Sequence, residues 1–213
     1  MRKLSRIHVL LGQLKAVTVV ALLGASFALP AVAQVRITSS DKVTFPVGLK
    51  WERMREVEFR YTPRPSQKSL VPSDLVTAQA VWADEISKAE ASTPKRNMFV
   101  LVANSKSRAG VPIIFSMLDT MDFERCEPSK NGKDMVDMYS KCLARVAVGN
   151  QPNPHIVEFN GFCYLNLDFP ETPIEQNNTQ FAFDAAAKTA YFRVIQYGKP
   201  VTACNRSIKL EGV

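Results

Sequence analysis

Histidine is almost missing from this sequence: His8 and His155 are the only two in 213 residues. Glycine is scarce as well, at nine scattered positions. The G-x-x-x-x-G-K-[ST] phosphate loop, the G-x-G-x-x-G turn and the G-x-S-x-G nucleophile elbow are all absent. So are the H-E-x-x-H zinc pattern and the calcium loop of spaced Asp, Asn and Gly. The S-x-x-K match Ser92-Thr93-Pro94-Lys95 carries a proline where the penicillin-binding motif continues a helix, and its companion motifs are missing. No repeat period or low-complexity tract occurs. The apolar run from Ala16 to Leu29 falls short of the roughly 20 residues that span a bilayer.

That run has the features of an export signal. Arg2, Lys3, Arg6 and Lys15 precede it without any acidic residue, and Pro30 with the small-x-small triplet Ala31-Val32-Ala33 follows. Residues 1–33 are therefore expected to be a cleaved bacterial signal peptide, with an uncleaved anchor as the competing reading. Residues 34–213 are expected to form one exported domain in the periplasm or outside the cell, with no stable membrane insertion after cleavage. Gln34 rather than cysteine follows the cleavage position, which argues against a lipid anchor. The leader also distorts the charge. The chain has 27 Lys+Arg against 20 Asp+Glu, but four of the basic residues lie in the leader, so the mature chain is 23 against 20, a net of +3. Such a balance gives no reason to expect a nucleic-acid partner.

Four cysteines, Cys126, Cys142, Cys163 and Cys204, all lie beyond the leader. An even count in an oxidising compartment favours two disulfides, and four cysteines allow three pairings. Cys126–Cys142 with Cys163–Cys204 is preferred, because Pro-Ser-Lys-Asn-Gly between the first two is a turn sequence that brings its ends together. Loop entropy assigns the first bridge about 3 kcal/mol and the second about 4. The close C-x-x-C pairs of structural zinc sites are absent and a single histidine remains, so no metal or cofactor is expected.

Hydrophobic periodicity supplies the fold class. Leu75, Ala78, Trp82, Ile86 and Ala89 recur at helical spacing, after a cap at Ser73 or Asp74 and before Pro94. Trp82 reads as a core anchor, and Asp84 and Lys88 are spaced for an outer i,i+4 pair. "EVEFRY", Glu56 to Tyr61, alternates like a strand, although Trp51, Met54, Val57 and Tyr61 also fit a helical stripe. Val43 to Val47 is a further short strand candidate. "MFVLVAN" and "VPIIFSML" predict a hairpin buried on both faces. Strands are also expected within 156–169, 180–183, 191–197 and 201–210, with a second hairpin turning at 185–189. Met135, Met138, Tyr139, Cys142 and Val146 share a helical face, so a second short helix is expected over 134–148, with a strand at 143–148 as the alternative. The sum is an α+β single domain: an antiparallel sheet of about five to seven strands, one or two helices and two disulfides.

Candidate chemistry is sparse. His155, the one mature imidazole, must serve if the protein is a His-dependent enzyme. Asp119, Asp122, Glu124, Glu127, Asp134 and Asp137 cluster around the first cysteine pair, where a cation site or a glycosidase pair could be drawn, but Lys130, Lys133 and Lys141 are interleaved and favour a solvated, charge-balanced loop. Asn177 and Asn205 match the glycosylation sequon, which means little in a bacterial protein. The leading expectation is a non-catalytic adaptor or inhibitor-like protein that binds another envelope or secreted protein, with segments 34–40 and 63–72 available to lie on a partner. A periplasmic hydrolase using His155 or the acids is one alternative. The other is a small-molecule or carbohydrate binder using Tyr164, Tyr191, Phe192 or Tyr197 as outward-facing rings.

Overall fold

A computed structural model of the protein describes residues 35–59, 72–93, 97–120, 126–129, 138–150, 152–165, 173 and 175–213. The expected leader, segment 63–71, and Asp122, Glu124, Asp134 and Asp137 lie outside the described residues.

Eleven strands and one helix are described: β1 (Arg36–Ser40), β2 (Glu52–Arg53), β3 (Arg55–Phe59), α1 (Pro72–Ala91), β4 (Met98–Lys106), β5 (Pro112–Asp119), β6 (Cys126–Pro128), β7 (Tyr139–Val148), β8 (His155–Leu165), β9 (Asn178–Asp184), β10 (Thr189–Gln196) and β11 (Lys199–Glu211). The α+β reading holds with little helix. The single sheet does not: the strands divide into a five-stranded sheet, β1-β11-β10-β9-β2, and a six-stranded sheet, β3-β4-β5-β7-β6 with β8 on β7's other side, all antiparallel. The two sheets face each other. Phe181, Ala190, Phe192, Ile208 and Leu210 of the first pack with Leu101, Phe115, Val146, Phe159 and Phe162 of the second. Phe192 sits within 5.2–5.6 Å of the rings of Phe115, Phe162 and Phe181, in edge-on or tilted contacts suited to ring quadrupoles.

The six-stranded sheet is buried on both faces, which explains its continuous apolar runs. Leu101, Ala103, Phe115 and Met117 point into the sandwich, while Met98, Val100, Val102, Ile114 and Leu118 point the other way, onto α1. The predicted hairpin β4–β5 follows, closed by Ser107 to Val111. The helix runs as the periodicity required, with Ala78, Trp82, Ile86 and Ala89 buried. Asp74 in its first turn faces Arg55 Nη2 at 2.7 Å. The outer pair is different from the one expected: Lys88 meets Glu85 at 3.4 Å, while Asp84 turns to Arg145.

Two further expectations fail. Residues 139–148 form strand β7 rather than a helix, as the alternative for 143–148 had it, because Cys142, Ala144, Val146 and Val148 alternate into the sandwich with Arg145 and Ala147 on the helix side. Both faces being buried, the strand shows no polar alternation, and chance helical spacing of a few apolar residues misleads. Val43 to Val47 is no strand either; it is loop, with Val47 fully exposed beside Gly48 at φ +86°.

The two margins of the sandwich are joined covalently in different ways. Between β2 in one sheet and β3 in the other stands the single buried residue Met54, whose N–H donates to the Thr179 carbonyl at 2.9 Å. At the opposite margin Cys163 of β8 is bonded to Cys204 of β11, uniting the sheets. Cys126 and Cys142 stand directly opposite on β6 and β7 and are bonded within one sheet. Both pairings agree with the preferred reading, and no free thiol remains. Beside the Cys163–Cys204 margin, Gly161 at φ +76° gives the Arg206 guanidinium room: a Cβ there would lie 2.6 Å from Nη2. Arg206 Nη1 donates to Ser39 Oγ at 2.7 Å and to the Asn160 carbonyl at 3.1 Å, so it fastens β1 and β8 together.

Candidate functional site

The sequence candidates fare unevenly. His155 opens β8, exposed, opposite Val148, with no hydrogen-bond or ion-pair partner among the described residues. A base needs a group to orient it, and among the described residues none is seen to do so. Asp119 is buried at the end of β5 and Glu127 is exposed on β6; no group of three or more potential metal ligands exists among the described residues. Asn177 is completely buried, its Oδ1 accepting the Tyr197 N–H at 2.9 Å, so that sequon sits inside the fold. The outward aromatics are corrected in part: Tyr164 and Phe192 are buried in the interior, Tyr191 points outward but is covered, and Tyr197 is exposed. A sandwich has two inner faces to fill, and both draw on these strands. Segment 36–40 is already occupied as β1, paired along β11.

One polar cluster that spacing could not reveal lies between α1 and β7. Arg145, buried, donates from Nη1 and Nη2 to the Asp84 carboxylate at 2.8 and 3.1 Å and from Nε to Glu158 at 2.8 Å. Nη1 also reaches the Val81 carbonyl at 2.9 Å, and the guanidinium lies 4.2 Å from the Trp82 ring centroid. The helix departs from helical geometry at Trp82 (φ −124°, ψ 21°), next to the carbonyl that Arg145 takes. Trp82 Nε1 donates to Ser116 Oγ at 2.7 Å, which donates on to the Leu101 carbonyl at 2.8 Å. Hydrogen bonding to Arg145 holds the Asp84 carboxyl below its ordinary value against the opposing effect of burial. Burial works against the Arg145 charge, but the bonds to Asp84 and Glu158 outweigh it and raise its pKa. Every arm of this cation is taken, so the cluster clamps the helix to the sheet and has no arm left for a ligand.

A second arginine is placed differently. β10 alternates Ala190 and Phe192 into the core with Tyr191 and Arg193 onto the outer face of the five-stranded sheet. The loop after β1 crosses that face. Its Phe45 meets Trp51 at 4.9 Å and Tyr191 at 6.1 Å, both edge-on. Arg193 stacks 4.1 Å from the Trp51 centroid and donates from Nε to Gln180 Oε1 at 2.7 Å. Burial lowers the Arg193 pKa, with no carboxylate among the described residues to restore it. Arg53 pairs across β2–β9 with Gln180, which pairs across β9–β10 with Arg193, so the three rise from one face in a row. Unlike the six-stranded sheet, which α1 covers, this face carries no helix among the described residues, and the loop crosses part of it. None of Phe45, Trp51, Arg53 and Arg193 stood out as a site residue in the sequence, since Arg193 lies far along the chain from the other three and no motif links them.

No protein-family model, no curated protein and no solved structure matches the chain. No helix among the described residues is long and apolar enough to cross a membrane.

Proposed function

We propose that this chain is an exported, doubly disulfide-bonded, non-catalytic protein that binds another envelope or secreted protein through the outer face of its five-stranded sheet. The carrying observation is the cluster of Trp51, Arg193 and Phe45, resting on the buried Tyr191 on a face that no helix covers among the described residues. Protein interfaces concentrate Trp, Tyr, Phe and Arg at their cores, and Trp, Tyr and Arg dominate their binding energy. The export reading draws support from the leader composition and the two disulfides. A carbohydrate platform is the weaker use of the same residues, because sugars stack on a free ring face and Arg193 already covers one face of Trp51.

The test is photo-crosslinking in the native host. Benzoylphenylalanine replaces Val47 at the tip of the loop on this face or, in a control, Val76 on the exposed side of α1. A discrete adduct with one extracytoplasmic protein from position 47, absent from position 76 and lost with Trp51→Ala, is the expected result. Equal adducts from both positions, or none from 47, would overturn the proposal.

A further inference from the structure

The two arginine environments differ in a way that points to partner chemistry. Arg145 has Asp84 and Glu158 on its three nitrogens. Arg193, also partly desolvated, has its Nε on neutral Gln180, and its Nη1 and Nη2 meet no carboxylate among the described residues. The acids nearby are directed elsewhere. Glu52 precedes Arg53 on β2 and so projects to the other side of the strand. Asp184 accepts the Ala186 and Ala187 N–H groups at 2.8 and 3.0 Å, and the charge of Asp41 acts on Arg206.

Resting on the proposed binding face, we infer that the partner docks there with a short acidic segment, its carboxylates received by Arg53 and Arg193. Stacking on Trp51 and the bond to Gln180 fix the plane of the Arg193 guanidinium, leaving its Nη edge for a bidentate carboxylate contact. Paired Cβ atoms on adjacent strands are about 5 Å apart, so the arginines spring from points about 10 Å apart. Their long side chains then suit carboxylates two residues apart on an extended segment, about 7 Å. Phe45 beside them offers apolar surface to the residue between the acids. Lys50, next to Trp51, adds to the positive field. A protein segment fits better than a polyanion because the cationic row is short and bounded by rings.

The probe is a fluorescein-labelled pool of octapeptides with Glu or Asp alternating with Leu, Val, Phe or Tyr, read by anisotropy on the oxidised chain. A matched pool with Gln and Asn, a single-stranded oligothymidylate and phosphatidylglycerol vesicles complete the arms. The acidic pool should bind, at least ten-fold tighter than the amide pool and than either other anion, and lose at least ten-fold with Arg53→Gln/Arg193→Gln. Arg193→Lys should fall between, since an ammonium keeps charge but neither the plane nor the fork. The inference is overturned by equal binding of both pools, by preference for the oligonucleotide or vesicles, or by binding indifferent to the substitutions. Should Arg193→Gln unfold, Arg53→Gln alone, an exposed position, must still weaken binding at least three-fold. The Val47 photoadduct separates the two readings: if it survives the double substitution, the face stands and the acidic segment falls.

Discussion

Replacing Arg145 by methionine removes a cation while keeping the apolar stem. Three losses follow. The Val81 carbonyl loses a buried donor, which costs about 1–3 kcal/mol. The stacking on Trp82 contributes about 1 kcal/mol. Asp84 and Glu158 lose their partner, but their side chains are 53% and 45% exposed, so water takes over and each net term stays below about 1 kcal/mol. Against these, methionine removes the burden of burying a guanidinium. The balance is a loss of about 2 kcal/mol, below the 3–5 kcal/mol typical of breaking a fully buried pair, and a fall in Tm of about 4–8 °C. Urea titration followed by Trp82 emission in a Trp51→Phe background measures it, since the chain has only these two tryptophans. Arg145→Lys should recover less than half, because one ammonium cannot serve Asp84, Glu158 and Val81 together. The Asp84 term has a pH signature. Its folded pKa lies below the unfolded value, so the stability it adds is present above the unfolded value and is lost as pH falls through the folded one. The difference between wild type and Asp84→Ala should thus hold steady from pH 7 to about 5 and close below about pH 4. Arg145→Met within 0.5 kcal/mol of wild type, or a difference unchanged at pH 3, would refute the clamp.

Two further outcomes are expected. Thiol titration of the unreduced, denatured chain should find no reactive cysteine, and Cys126→Ala/Cys142→Ala and Cys163→Ala/Cys204→Ala should lower stability by about 3 and 4 kcal/mol in denaturant titrations; four free thiols would overturn the bonded architecture. Gly161→Ala should cost about 2 kcal/mol by the same measurement, part from positive φ and part from displacing Arg206. In an Arg206→Ala background only the φ part should remain, and an unchanged cost would show that the close approach is irrelevant.

What the sequence disclosed follows from how each element is buried. The β4–β5 hairpin was legible because a strand covered on both sides must be apolar throughout, and α1 because one stripe meets the sheet. β7 was misread for the same reason in reverse: with Arg145 and Ala147 under the helix and Cys142, Ala144 and Val146 in the sandwich, neither period emerges. The division into two sheets was hidden because alternation tells which residues point inward, not which layer a strand joins. Between Phe192 and Val194 the β10–β11 register jumps, and no composition signal marks it. The open face was illegible because Trp51, Gln180 and Arg193 meet only through pairing across three strands.

Met54 and the Cys163–Cys204 bond sit on opposite margins, so the sandwich is held like a book with a spine of backbone and a clasp of sulfur. Once a reductant opens the clasp, the Arg206 bond to Asn160 and the Met138 N–H bond to Gln196 are among the hydrogen bonds that still cross that edge. Solvent should therefore enter between β8 and β11 first, exposing the Phe159 and Phe162 rings, while the spine keeps β2 and β3 joined.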